Sequence, residues 1–394
     1  MELKSYKNNI IYNYLFTFIS SLNFTQGYWM IYLATRGFSL VELGIFEGIF
    51  HTTSVIMETP TGAIADVFGR KISRIIGRVM IIIHHLLLIS SDNFFLIGLA
   101  FVICALGYNF ESGAREAFVY DSLIEDKNEK KYMKIEGIGE ALFQTATAVA
   151  LVLGGIFALK NNNLPFLLTA MVSLISIIPL LAMKETTVNK NKKERLTFKE
   201  SVIMQYVNSF KTLKDNKILM RLILTFSLFA TFVTVSFYYT QNRWFELGFK
   251  ENQIGLFLAL QCIFSAFGGI LAHKVESKLG RKNVLLVIPS LIVLSLFGMI
   301  FKNTSILAMV SLGILDSIFY VVISDYMNRL IESDKRATLI SMSSMFFSIS
   351  MILIFPIFGI IGDIFTLKTS FTSLFSFGFI IYIYYLINFK KMLD

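Results

Sequence analysis

Charge is scarce in this sequence. Lys, Arg, Asp and Glu supply 16% of its 394 residues, against about 25% in a soluble domain. That excludes a soluble enzyme and a charge-rich disordered chain. Cysteine is nearly absent. Cys104 and Cys262 both lie in apolar runs, so there is no disulfide framework, and no further ligands accompany them at metal spacing. No Gly-x-x-x-x-Gly-Lys-Ser/Thr loop occurs, so no bound nucleotide is expected as the energy source. No nucleophile–base arrangement stands out, which argues against an enzyme. A cleavable leader is not expected either: Met1 to Asn9 is short and polar and leads straight into an apolar run, which reads as an uncleaved anchor.

What is present is apolar sequence. Hydrophobic residues make up 55% of the chain, and runs of about 20 residues recur along its whole length, as in a polytopic helical membrane protein. Twelve spans are expected, from 10–34 through 42–65 to 368–389. Each should be a helix, because backbone polar groups in lipid must be satisfied within the segment. The short alternating strands of a membrane barrel are missing. The net charge of +9 then marks topology rather than nucleic-acid binding. The connections on one side hold about 27 basic residues and those on the other about 6, which places both termini in the cytoplasm beside anionic lipid. Residues 184–217 are Lys-rich and divide 1–183 from 218–394. They read as a cytoplasmic linker between two six-helix bundles, either a plain tether or a docking segment.

The two halves repeat. Gly37-Phe38 corresponds to Gly248-Phe249, Tyr28 to Tyr239, Gly44 and Phe46 to Gly255 and Phe257, and Gly69-Arg70-Lys71 to Gly280-Arg281-Lys282, each pair 211 residues apart. One offset at four separate places indicates duplicated six-helix units, a transporter layout with its site near the midplane between the halves. Residues 62–71 read Gly-Ala-Ile-Ala-Asp-Val-Phe-Gly-Arg-Lys. This resembles the loop 2–3 signature of the major facilitator superfamily, Gly-x-x-x-Asp-x-x-Gly-Arg-Arg/Lys, and the resemblance extends over essentially the whole chain. Glu58-Thr-Pro-Thr-Gly62 and Glu111-Ser-Gly-Ala resemble the bacterial drug-efflux-like members.

The resemblance implies a gating cluster of Gly62, Asp66, Gly69, Arg70, Lys71 and Asp121. Gly62 is expected to admit a neighbouring helix closely. Asp66 is expected to meet the N-terminus of span eleven, where partial positive charge favours a carboxylate. Arg70 is expected to pair with Asp121 at the foot of span four. The second copy departs from this pattern, with Ser277 at the Asp position, His273 at the Gly position and Glu276 one residue out of register. Span five carries Gly154-Gly155 without the Gly-Pro motif of drug/proton antiporters, and Arg115 does not fit the spacing of the span-four basic motif.

Ionisable groups inside spans are costly and therefore functional candidates. Glu47, His51 and Glu58 lie within about 40° of one another on span two at about 100° per residue, with Ser54 on the same stripe. They read either as a proton path or as a polar seam between helices. Glu111 lies near the midplane of span four, where Arg115, one turn on, is an available i,i+4 partner. Asp316 is at mid-depth in span ten and Asp325 lower, toward the inner gate. His84-His85 read as packing residues. Asn23, Gln26, Tyr238, Gln241 and Asn242, on spans one and seven, are cavity-lining candidates. The expected protein is a bacterial cell-membrane transporter, monomeric, without cofactor or metal, driven by a proton gradient and exporting small amphiphilic compounds by a rocking of its halves. Proton-coupled uptake of a nutrient and a non-transporting membrane sensor of the same fold are the alternatives.

Overall fold

The structure is a computed structural model that describes residues 7–185, 217–329 and 336–393; within these, the side chains at 7, 66, 113, 116, 117, 129, 217, 328, 329, 336–341 and 389–393 lie outside the description, as does most of the expected linker. The described residues are helical and contain no strand. The helices are α1 (Lys7–Ser20), α2 (Trp29–Thr35), α3 (Leu40–Phe68), α4 (Arg70–Ser90), α5 (Phe94–Glu125), α6 (Tyr132–Lys160), α7 (Leu164–Ile175), α8 (Ile177–Ala182), α9 (Lys217–Glu246), α10 (Glu251–Leu279), α11 (Arg281–Gly298), α12 (Lys302–Arg329), α13 (Arg336–Ile364) and α14 (Leu367–Leu393).

Eleven segments among the described residues are long and apolar enough to cross a membrane, α7 and α8 together forming one of them. They coincide with the expected spans except the first. That span is broken into α1, of 14 residues, and α2, of 7. The break has a local cause. The Asn23 Oδ1 accepts hydrogen bonds from the Thr25 amide at 3.1 Å and the Thr25 hydroxyl at 2.7 Å, an alternative to helical bonding that short polar side chains offer. Asn23 and Gln26 therefore sit in a turn rather than on a continuous helix face.

The chain packs as two compact units. One holds the described residues of Met1–Gln26 and Ile49–Val202, the other those of Gly27–Gly48 and Ile203–Asp394. The stretch 27–48, which the repeat assigns to the first half, thus packs with second-half helices, and α3 passes from the second unit into the first at Ile49. Within each unit, helices touch where glycine removes a side chain. A Cβ on Gly77 would lie 2.7 Å from the Gly107 carbonyl oxygen, and one on Gly268 would lie 2.5 Å from the Ile314 carbonyl oxygen. At Gly62, where a close approach is expected, no neighbouring helix among the described residues lies within 4 Å of a would-be Cβ.

The duplication is written into the backbone. Four glycines have positive φ, Gly37 at 94°, Gly69 at 99°, Gly248 at 89° and Gly280 at 80°. They form two of the pairs related by the 211-residue offset. Gly69 alone separates α3 from α4, and Gly280 alone separates α10 from α11. With ψ near 149° and 145°, both occupy a region that is essentially glycine-only. Nothing lies within 4 Å of a Cβ built on Gly280, so Gly280→Ala isolates the backbone cost. We expect it to lower stability by about 1–3 kcal/mol, read as a drop in melting temperature. An unchanged melt would show that this turn relaxes freely.

Candidate functional site

The first unit contains a ladder of three arginines. Arg70, Arg74 and Arg78 follow at i,i+4 spacing on one stripe of α4, with Arg78 about 12 Å along the helix. Arg70 pairs with Asp121 and Arg78 with Glu111, both acids carried by α5. Arg74, fully buried between them, donates to the Asn13 Oδ1 of α1 at 2.9 Å. Its guanidinium lies 4.3 Å from the centroid of the Phe16 ring, and that of Arg78 lies 5.7 Å from the same ring, so one aromatic face serves both cations. The α4–α5 contact that aligns these pairs is held by the glycine approach at Gly77 and by the Ser73 hydroxyl, which donates to the Phe110 carbonyl at 2.7 Å.

Glu111 is therefore partnered across helices by Arg78, not along its own helix by Arg115. An i,i+4 pair was available, but Gly77 and Gly107 bring α4 close enough for the inter-helix bond. The sequence signal for this was the 70, 74, 78 spacing. The near end of the ladder is tied down by a residue absent from the sequence reading. Glu185 accepts from the Arg70 amide at 3.1 Å and the Lys71 amide at 3.0 Å, capping α4. Lys71 returns the favour at the end of α8, donating its Nζ to the carbonyls of Leu181 at 2.7 Å and Met183 at 2.9 Å.

The α3 acids do not share one environment. Glu47 and His51 are buried, whereas Glu58 is exposed. Ser54 donates to the Asn109 Oδ1 at 2.8 Å and Asn109 donates back to the Ser54 carbonyl at 2.8 Å, a polar seam between α3 and α5. His84 and His85 are buried, with Nδ1 atoms 2.8 Å from the carbonyls of Ala100 and Ile81 respectively. The Asp66 side chain lies outside the described residues.

The second unit reproduces only the first rung. Arg281, the repeat partner of Arg70, bridges Glu276 at 2.6 Å and Asp325 at 2.8 Å. Glu276, though out of register with the signature, is thus engaged. Leu285 and Pro289 occupy the positions that correspond to Arg74 and Arg78, so the two deeper rungs of the ladder belong to the first half. In their place the second unit has Asp316, near the middle of α12. Its Oδ1 is buried and has no hydrogen-bond partner among the described residues. On α9, Gln241 is buried, Asn242 donates to the Met30 carbonyl at 3.3 Å, and the Tyr238 ring lies 5.7 Å from that of Trp29.

Two duplicated helical units, a lone-glycine turn with a charged cluster in each, and ionisable groups at membrane depth together define a secondary membrane transporter. A sequence profile of the Major Facilitator Superfamily matches residues 10–301 and 244–391, and the chain belongs to that family. It is 25% identical over 354 residues to the uncharacterized MFS-type transporter YxaM of Bacillus subtilis (strain 168), covering 87% of this chain and 86% of that one. An uncharacterized MFS-type transporter of Methanocaldococcus jannaschii is 24% identical over 306 residues, 75% of this chain and 74% of that one. Among solved structures, the nucleoside transporter NupG is similar with a TM-score of 0.79 at 16% identity, over 99% of this chain and 100% of that one. A D-xylose-proton symporter gives 0.72 at 14% identity, over 96% and 95%. At these identities the likeness establishes the fold alone.

Proposed function

We propose that this transporter couples small-molecule flux to protons, with Asp316 as the coupling acid, and that it exports small amphiphilic compounds across a bacterial cell membrane as a monomer with both termini cytoplasmic. The observation that carries the coupling is the buried Asp316 Oδ1 without a partner among the described residues. An ionised carboxylate in that setting costs several kcal/mol, and a bound proton or a substrate cation removes the cost. Exchange of one for the other couples two fluxes. The other well-placed acid at depth, Glu111, already has Arg78. Export is favoured by the likeness of Glu58-Thr-Pro-Thr-Gly62 to efflux-type members.

The test is accumulation of cationic and neutral dyes in a bacterium stripped of its own pumps, with and without a proton uncoupler. The chain is expected to lower accumulation at least tenfold for some dye, and uncoupler or Asp316→Asn to restore it. Uncoupler-sensitive accumulation above the empty-cell level would instead establish proton-coupled uptake. Flux that is uncoupler-sensitive but unaffected by Asp316→Asn would remove Asp316 from the coupling role.

A further inference from the structure

We propose that Asp363 is a latch: its carboxylate, on the last turn of α13, holds the start of α3 and keeps the Gly37 end of the transporter closed. The inference rests on alternating access within the transporter reading, and goes beyond it by naming the contact that one of the two states must break.

The geometry is specific. The Asp363 Oδ1 accepts from the Leu40 amide at 2.9 Å and its Oδ2 from the Val41 amide at 2.8 Å. These are first-turn N–H groups that a helix leaves without intrahelical partners, where partial positive charge favours an anion. Local sequence already does what it can for this terminus. Ser39 and Glu42 form a reciprocal cap, with the Glu42 amide donating to the Ser39 hydroxyl at 3.3 Å and the Ser39 amide donating to the Glu42 carboxylate at 2.8 Å. The two amides left over go to a residue more than 300 positions away. The corresponding start of α10, at Glu251 and Asn252, receives no such distant carboxylate among the described residues, although Gln253 provides its local cap. The carboxylate is therefore not a general requirement of this helix start.

The surrounding contacts are fitted to the same closure. The Tyr239 hydroxyl lies 2.9 Å from the Leu40 carbonyl oxygen and 3.0 Å from that of Phe355. A Cβ on Gly359 would fall 2.3 Å from the Leu40 carbonyl oxygen, and one on Gly44 would fall 2.6 Å from the Pro356 Cα. Residues 27–48 belong to the first half by the repeat, yet pack in one unit with α13 and α9. Any state that returns them to their own half must release the two amides from Asp363. The charged contact is exposed, so water can replace it at modest cost, as a contact broken in every cycle requires.

The experiment is hydrogen–deuterium exchange of the full chain in lipid nanodiscs, read by mass spectrometry, comparing the native protein with Asp363→Asn, Gly359→Ala and Asp66→Asn. Asp363→Asn is expected to speed exchange about fivefold over 38–44 and, as the mark of a latch, also over 28–35 and 236–246. Gly359→Ala, which wedges the same contact without touching charge, is expected to speed the same three segments. Asp66→Asn is expected to leave them unchanged or slower. Faster exchange confined to 38–44 in Asp363→Asn would make the residue a helix cap and overturn the latch, as would no change in any segment. The readout does not involve flux, so a failed transport assay and a failed latch are separate outcomes.

Discussion

Arg78→Ala is expected to lower the stability of the protein by about 3–5 kcal/mol, the cost of stranding one member of a buried ion pair. Arg78 and Glu111 are nearly enclosed, with side chains 5% and 15% exposed, so water cannot easily replace the lost partner. Glu111→Gln should be milder, because the amide oxygen still accepts from the guanidinium. The informative variant is the double replacement of Arg78→Met with Glu111→Met. Removing both charges leaves neither uncompensated, and stability should return to within about 1–2 kcal/mol of the native protein. If the pair takes part in the transport cycle, flux in proteoliposomes should stay at least tenfold low in the double variant despite the recovered melt. Normal flux would make the pair a purely structural brace.

Gly154→Ala is the second large effect. A Cβ there would lie 2.1 Å from the Phe24 carbonyl oxygen and 2.9 Å from the Phe24 carbonyl carbon. The obstacle is backbone, not the end of a flexible side chain, and overpacking of that kind costs about 3 kcal/mol. The clash falls on the turn that divides α1 from α2, so we expect loss of folded protein on size-exclusion chromatography. Gly139→Ala on the same helix is the control. Nothing lies within 4 Å of its Cβ, and the gain in helix propensity should hold or raise stability by up to about 1 kcal/mol. Similar melts for the two variants would show that α6 moves freely against Phe24.

Much of this architecture was legible because lipid imposes a length and a composition on every span. The repeat was equally legible, since the 211-residue offset selected the glycines that turn out to have positive φ. The first span was misread as continuous because apolar content hides a break only a few residues wide. The local competition of Asn23 with the helix had to be weighed against the hydropathy of its neighbours. The partner of Glu111 was misread for a different reason. Along-helix spacing is visible in a sequence, but the close approach at Gly77 and Gly107 that delivers Arg78 depends on which faces meet. Glu185 was missed because it follows the last residue of a span, where an acid looks like ordinary loop. Glu58 shared a stripe with Glu47 and His51, yet it is exposed where they are buried, because a shared stripe fixes direction around the axis and not position along α3.

The single-residue joint at Gly69 sets the rotational phase of everything after it. An inserted residue would turn α4 by about 100°, and Arg70, Arg74 and Arg78 would leave Asp121, Asn13 and Glu111 together, since all three ride one stripe. The joint works like a keyed shaft. It has no slack in which a length error can be absorbed, so length variation in this stretch should be lethal to the ladder even where every side chain is kept. Evolution and engineering alike are then free to vary the residues around the joint far more readily than their number.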